Sequence, residues 1–242
     1  VEIHNLSVNP SSIVNILTLR YDPSITPNLP RKTWEDFVPT NNLHNSKIIE
    51  GLICDSIQKK LKAFDGKKIS IALSGGVDST LVLSLIRKVD PDIDIHAISI
   101  KFANSVDETN DAAKIADTFN AEHHIVNLEN YLSELPRAIS MIKMPFWDLH
   151  WYYVVKTSST LSKILISGDG GDELYGGYTF RYKKFLSLTS DNSTPMEKVL
   201  AYLECHERDR VPDQEKIFNH KSNFSWESIH KLLFPYFDNK LS

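Results

Sequence analysis

The pattern of hydrophobic and polar positions changes at residue 46. Before it, five of the eleven prolines occur within the first 40 residues. Proline removes a backbone donor and disfavours helix at the residue before it. We therefore predict that residues 1–45 form an extended, irregular arm with at most one strand, at Ile13–Arg20. Residues 46–242 are predicted to form the folded domain.

From residue 46, apolar runs alternate with amphipathic segments of 10–15 residues. The first amphipathic helix carries Ile48, Ile49, Leu52, Ile53, Ile57 and Leu61 on one side and ends at Gly66. The predicted strands are Ile69–Leu73, Ile93–Ile100, His124–Leu128 and Lys163–Ile166. The further predicted helices are Thr80–Val89, Asp107–Asn120, Tyr131–Met144 and Trp151–Ser162.

This alternation predicts βαβ units and hence a Rossmann-like, doubly wound parallel α/β sheet. Beyond Tyr178 the pattern is helical and more polar, with a loop predicted at Ser187–Pro195.

Composition limits the kinds of partner that the protein is expected to have. A formal net charge of -4 and a pI near 6.1 do not favour nucleic acid. No apolar run approaches the roughly 18 residues that span a bilayer. Cys54 and Cys205 are expected to be free thiols, and we expect a cytoplasmic protein without a membrane partner.

Glycine is rare in this chain and concentrated in two places. Seven of the nine glycines lie in the segments 75–76 and 168–177, each directly after a predicted strand. Glycine is needed where backbone adopts positive φ or approaches a ligand closely. In open parallel sheets, ligands bind at the carboxyl ends of the strands. The two segments are therefore the candidate binding loops.

The first segment, Ser74-Gly75-Gly76-Val77-Asp78-Ser79, joins a strand to a helix. Its backbone N–H groups and the positive end of the helix would cradle phosphate. No lysine follows the glycines, so it is not a Walker loop. Asp78 beside phosphates would need a cation, which indicates Mg²⁺. The alternative is a tight turn in which Asp78 or Ser79 caps the helix.

The second segment runs from Ser167 to Tyr178 and places Asp169, Asp172 and Glu173 within five residues. Such a cluster is costly unless a cation or strong donors offset the repulsion. Asp172 is the candidate second Mg²⁺ ligand. The alternative is an acidic surface loop in which Asp172 and Glu173 occupy a helix start, although this does not explain the flanking glycines.

These residues resemble a known family. The first loop is similar to the SGGxDS loop of the N-type ATP pyrophosphatases. The second resembles the SGEGxDELFGGY segment of class B asparagine synthetases and β-lactam synthetases. Supporting similarity, including Asp107-Glu108 and His123-His124, extends over about residues 15–185. The resemblance implies an ATP pyrophosphatase domain. The residues it implies for ATP binding are Leu73, Ser74, Gly75, Gly76, Asp78, Ser79, Ile100, Ser167 and Gly168.

The resemblance further implies metal binding by Asp78 and Asp172 and catalytic roles for Asp169 and Asp172. The implied reaction is the adenylation of a carboxylate, aspartate or a similar acid, followed by transfer of ammonia or an amine. Two other hypotheses stay open: another adenylating enzyme of this superfamily acting on a nucleoside or tRNA, and a weakly active nucleotide-binding subunit.

Three departures from the family pattern matter. We expect the chain to lack the family's glutaminase domain, so that ammonia, another amine or a separate glutaminase subunit supplies nitrogen; assembly as a homodimer is left open. Asp169 replaces the family's glutamate, and a misplacement of about 1 Å can cost roughly a hundredfold in rate. The family's lysine and arginine beyond the second motif cannot be aligned; Lys183, Lys184, Arg208 and Arg210 are candidates by type only, and a solvated face is favoured for each.

Two further groups invite a functional interpretation. His123-His124 has no third metal ligand at a sensible spacing in the sequence, so we favour a structural role. The aromatic cluster Trp147, His150, Trp151, Tyr152 and Tyr153 is more typical of a core than of an acceptor pocket.

Overall fold

The computed structural model describes residues 9–25, 46–64, 67–102, 107–144, 148–207, 218 and 224–238. By its contacts the chain divides into two compact units, residues 34–175 and residues 1–33 with 176–242. The boundary predicted at residue 45 lies outside the described residues, as do Gly66, Arg208 and Arg210. None of the helices in the described ranges has the length and apolarity needed to cross a bilayer.

The larger unit is built on four parallel strands. They are β1 (Lys68–Ala72), β2 (Asp94–Phe102), β3 (Glu122–Leu128) and β4 (Leu165–Ile166), in the order β3-β2-β1-β4. Its helices are α2 (Ser46–Ala63), α3 (Val77–Val89), α4 (Thr109–Thr118), α5 (Leu135–Ile142), α6 (His150–Leu161) and α7 (Gly171–Tyr175), with a 3-10 turn at Tyr131–Glu134. The predicted parallel α/β fold is confirmed.

Both faces of the sheet are covered, which explains the continuous apolar runs of its strands. Ile69, Ile71, Ile95 and Ala97 project into a core that includes residues of α2, α3 and α4. On the other face, Ile100 and Leu128 pack with residues of α5 and α6. The apolar stripe of α2 is only partly used, since Ile57 and Leu61 are buried whereas Ile48 and Leu52 are exposed.

The smaller unit contains α1 (Pro10–Leu19), α8 (Thr179–Leu188), α9 (Pro195–Cys205), α10 (Trp226–Leu233) and a 3-10 turn at Phe234–Tyr236. Its core comprises Leu19, Val199, Leu203, Ile229 and Leu233. The loop predicted at Ser187–Pro195 is found between α8 and α9 but covers only residues 189–194, because Ser187 and Leu188 belong to α8 and Pro195 starts α9. The second of these helices begins with a capping box formed by Thr194 and Glu197.

The strand predicted at Ile13–Arg20 is wrong, because these residues belong to helix α1 and its cap. Asn9 accepts hydrogen bonds from the backbone N–H groups of Ser11 and Ser12, and Pro10 occupies the first turn. Proline is tolerated there because its missing N–H would have no partner within the helix. The proline that suggested an extended arm therefore starts a helix, which buries Val14 and Leu19.

After α1, the Asp22 carboxylate links the turn at Ser24 to Asn15 of the helix by hydrogen bonds. Its Oδ1 accepts from Asn15 Nδ2 at 2.8 Å, from the Ser24 N–H at 3.0 Å and from Ser24 Oγ at 2.6 Å. Burial alone would raise the pKa of Asp22, but hydrogen bonds from Ser12, Ser24 and Asn15 outweigh it and lower the pKa from 3.8 to about 2.

We expect Asp22→Ala to lower the free energy of unfolding by about 1–3 kcal/mol at neutral pH, since it leaves the buried Asn15 amide without its partner. Because the pKa is lower in the folded protein, this stabilisation is complete above about pH 4 and is lost as the pH falls towards 2. Urea unfolding at about pH 7 and about pH 3 measures both effects. Asp191→Ala, at an exposed turn, is the matched control. An equal loss at both pH values would contradict the prediction.

Candidate active site

The loop after β1 leads directly into α3. Gly76 is the N-cap of this helix, with φ -81° and ψ 162°, and no side chain caps it. The loop is closed from inside by hydroxyls, because Ser74 Oγ and Ser79 Oγ are 3.1 Å apart and the Gly76 N–H donates to Ser74 Oγ at 3.1 Å. The alternative in which Asp78 or Ser79 caps the helix is therefore wrong, and no side chain caps the positive end of α3, which favours an anion.

The loop after β4 packs onto the first turn of α3 through two glycines. A methyl group at Gly168 would lie 2.7 Å from the Ser79 nitrogen and 2.8 Å from the Asp78 carbonyl carbon. At Gly171 it would lie 2.8 Å from Asp78 Cγ. Only glycine permits such an approach. The two glycine segments therefore meet around Asp78, and Asp172 follows Gly171 directly in the chain.

The strand order explains why these two loops meet. From β1 the chain moves to β2 and β3 on one side, and then crosses back to place β4 on the other side of β1. Both β1–β2 and β1–β4 are parallel pairs. The gap between the carboxyl ends of β1 and β4 is thus a topological switch point, where open α/β sheets bind their ligands.

A cavity of about 360 Å³ opens at this point. The predicted site residues that line it are Leu73, Ser74, Asp78, Ser79, Ile100, Ser167, Gly168 and Asp169. Gly75, Gly76 and Asp172 belong to the same two loops but are not part of its wall. The cavity therefore joins residues of the first loop, of β2 and of the second loop.

Sequence reasoning missed several cavity residues. They are Ala72, Ile98, Ser99, Phe102, Glu108, Thr109, Ala112 and Val154. Ser99 is the most informative of these, since its Oγ donates to the Leu73 carbonyl at 2.7 Å and is 2.8 Å from His123 Nε2. Burial, with a smaller contribution from His124, lowers the pKa of His123. A lone hydroxyl within the apolar run of β2 was the available signal.

Asp107 and Glu108 have different surroundings. Glu108 lines the cavity. Asp107 accepts from the Thr109 N–H at 3.0 Å, and its Oδ2 lies 2.6 Å from Lys101 Nζ. Hydrogen bonds from Lys101 and then Thr109 lower the pKa of Asp107 to about 2. Asp107 thus orders the start of α4, and Glu108 adds negative charge to the cavity wall.

Asp169 lies in the second loop and lines the cavity. Desolvation raises the pKa of its carboxyl; His150 opposes this increase, while Glu173 and Asp148 add repulsion. A bound cation would relieve the repulsion. The site therefore combines a helix start whose dipole favours an anion with carboxylates that favour a cation.

The aromatic cluster divides between core and cavity. Tyr153 is buried in the core beside α5, where Ser133 and the Tyr131 carbonyl bond its hydroxyl. His150 and Trp151 line the cavity instead. Trp147 lies outside the described residues.

Two of the candidate basic residues lie in the smaller unit. Lys184 donates to the Glu204 carbonyl at 3.0 Å and lies 3.6 Å from its carboxylate. Lys183 is exposed.

The fold and the two converging glycine segments define a class of protein. A parallel α/β sheet whose first strand is followed by the sequence Ser-Gly-Gly-Val-Asp-Ser places the chain in the ATP pyrophosphatase superfamily. Its residues 49–233 match the asparagine synthase family model. The chain belongs to this family.

The sequence identity to individual members of the family is low. The chain is 25% identical to asparagine synthetase [glutamine-hydrolyzing] 1 of Bacillus subtilis over 264 aligned positions, which cover 100% of this chain and 40% of that protein. It is 30% identical to asparagine synthetase [glutamine-hydrolyzing] of Gallus gallus, over 56% of this chain and 26% of that protein. The chain thus spans less than half the length of these curated relatives. Among solved structures, an NH3-dependent NAD synthetase from Campylobacter jejuni is 17% identical over 78% of this chain and 93% of that chain, with a TM-score of 0.42.

Proposed function

We propose that this chain is an ATP-dependent amide-forming ligase. It adenylates a carboxylate, aspartate or a similar acid, with release of pyrophosphate, and then transfers ammonia or an amine to the activated acid. The observation that carries the proposal is the packing of Gly168 and Gly171 against Asp78. This packing brings an anion-binding loop and an acidic loop to one edge of the sheet, beside a cavity with one largely apolar wall.

The cavity offers suitable surfaces for both the base and the phosphates of ATP. Ile98, Ile100, Phe102, Ala112 and Val154 supply apolar surface, which suits the adenine ring. The hydroxyls of Ser74 and Ser167 and the uncapped N-terminus of α3 suit the phosphates. In the reaction, a carboxylate oxygen of the acid attacks the α-phosphorus, and the bond to the bridging oxygen breaks to release pyrophosphate. The amine then attacks the carbonyl carbon, and AMP leaves with the attacking oxygen.

The residues present also fit a magnesium ion. Carboxylate oxygens are preferred ligands of Mg²⁺. Desolvation, with a smaller contribution from the acidic neighbours Glu173 and Asp148, raises the pKa of Asp169. Asp78 and Asp172 would hold the ion, which would neutralise charge on the departing pyrophosphate. Asp169 would position the incoming amine. Its side chain is one methylene shorter than that of glutamate, so its carboxylate would hold the amine at a different position than a glutamate would.

The direct test is to measure the products with the whole chain. ATP and Mg²⁺ are supplied with a panel of amino acids, with and without ammonium, and AMP, ADP, pyrophosphate and phosphate are quantified. We expect pyrophosphate and AMP in equal amounts, dependent on one acid. With that acid labelled by ¹⁸O in its carboxylate, one label is expected in AMP. An acid-dependent reaction that yields only ADP and phosphate, or AMP without label, would contradict the proposal. Turnover that requires a nucleoside or tRNA would instead support the hypothesis of another adenylating enzyme of this superfamily.

A further inference from the structure

A second cluster of ionisable side chains lies away from the cavity, where β2 and β3 begin. His96 of β2 pairs in register with Glu122 of β3, and His124 lies two residues further along β3. Because alternate residues of a strand share a face, the three side chains project from the same face of the sheet. His96 precedes Ile100 of the cavity wall by four residues, about 13 Å along a strand.

The ligand atoms of the three residues converge on one point. His96 Nδ1 is 2.8 Å from His124 Nε2 and 3.3 Å from Glu122 Oε2, and His124 Nε2 is 3.6 Å from Glu122 Oε1. In a tetrahedral zinc site with bonds of about 2.0–2.1 Å, neighbouring ligand atoms are about 3.3–3.4 Å apart. The three observed separations bracket that value, so a small displacement of the side chains would admit the ion.

The second nitrogen of His96 supports this interpretation. The His96 side chain is only 5% exposed, and its Nε2 is buried without a hydrogen-bond partner. A carboxylate oxygen of Asp94 lies 3.5 Å from this nitrogen, and Lys68 Nζ lies 3.3 Å from the same oxygen. A metal on Nδ1 would leave the proton on Nε2, directed towards a carboxylate. Histidine ligands of metals characteristically have such a partner.

We propose that His96, His124 and Glu122 form a binding site for a transition-metal dication such as Zn²⁺, separate from the nucleotide site. Two imidazoles and one carboxylate suit zinc, whereas Mg²⁺ prefers oxygen ligands. The Glu122 side chain is 64% exposed and that of His124 is 24% exposed, so solvent water supplies the fourth ligand. The ion joins the edge strand β3 to β2 where both strands begin. The sequence alone did not reveal this site because its third ligand comes from another strand.

The experiment uses the whole chain, stripped of metal by a chelator and titrated with Co²⁺ in the absence of ATP. Cobalt reports a tetrahedral site by intense visible absorption, and competition with Zn²⁺ then measures the zinc affinity. We expect a single ion per chain for the wild type, with an increase in melting temperature on adding Zn²⁺. Glu122→Gln and His124→Gln alter partly or largely exposed side chains, so they are expected to fold. They are expected to lose affinity by more than about 100-fold, and Asp94→Asn by about 10–100-fold.

His123→Gln is the matched control, because it removes the neighbouring histidine on the opposite face of the strand. It is expected to keep the cobalt spectrum. Asp78→Asn is also expected to keep it, since the nucleotide site is not involved. The proposal is overturned if the wild type binds neither Co²⁺ nor Zn²⁺. His96 and His124 would then be joined only by a hydrogen bond between their imidazoles. Equal affinities of the wild type and Glu122→Gln, or loss of uptake in Asp78→Asn, would overturn it as well.

Discussion

Asparagine in place of Asp78 is expected to reduce the pyrophosphate release that depends on the carboxylate substrate by at least about 100-fold. The substitution keeps the size of the side chain but removes its charge at the point where both glycine segments meet. A neutral amide is a poor ligand for Mg²⁺, and without the ion the triphosphate would be held by hydroxyls and backbone N–H groups alone. The measurement is the rate of pyrophosphate release at saturating ATP, together with calorimetry of Mg²⁺-ATP binding.

The same variant separates a role in the site from a role in folding. Asp78 lies in the first turn of α3, where its negative charge stabilises the helix by about 0.3–1 kcal/mol. We therefore expect only a small decrease in the melting temperature. Asp117→Asn, on the exposed side of α4, is the matched control and should retain both activity and binding. Normal binding of Mg²⁺-ATP by Asp78→Asn would show that the proposed metal role of this residue is wrong.

A single methyl group at Gly168 is expected to abolish detectable activity and to lower the free energy of unfolding by about 1–3 kcal/mol. The added carbon would meet backbone atoms of Asp78 and Ser79 at 2.7–2.8 Å. Backbone cannot rotate away as a side chain can, so the second loop must move out from the first. That movement would separate the acidic loop from the anion-binding loop, and both binding of Mg²⁺-ATP and turnover would be lost.

Gly51→Ala provides the comparison, since its added carbon would have no atom within 4 Å. Gly51 lies inside helix α2 on an exposed position. Alanine there should raise the free energy of unfolding by roughly 0.5–1 kcal/mol and leave activity unchanged. Urea unfolding and pyrophosphate release measured on both variants test the prediction. Full activity of Gly168→Ala would mean that the close approach of the two loops is not required for function.

Most of the larger unit was predictable because its patterns are local. The run Ile69–Leu73 and the spacing in Thr80–Val89 each indicate an element from the order of apolar residues alone, and the structure differs only at the ends, with β1 at Lys68–Ala72 and α3 starting at Val77. The error at Ile13–Arg20 has the same origin. Pro10 was interpreted as breaking a helix, whereas its position next to the capping residue Asn9 allows it to start one.

The candidate site was predictable in its loops but not in its walls. Gly168 and Asp78 were identified because glycine is rare in this chain and clusters after predicted strands, and because an acidic residue beside phosphates needs a cation. Val154 was missed because nothing near it in the chain marks it, and the single hydroxyl of Ser99 in an apolar run was not interpreted as part of a site. Both residues line the cavity because β2 and α6 are packed beside β1. The proximity of His96 and His124 was likewise not predictable from local sequence. They are 28 residues apart in the chain, yet His96 Nδ1 lies 2.8 Å from His124 Nε2.

The sequence by itself determined the parallel α/β class and the two glycine segments, because hydrophobic period and backbone freedom depend on neighbouring residues. Tertiary structure alone decided that β4 lies beside β1, so that Gly171 rests against Asp78. It also decided the register that sets His96 beside Glu122. Strand order and register follow from the packing of side chains distant in the chain, and several orders are compatible with the same local pattern of apolar residues.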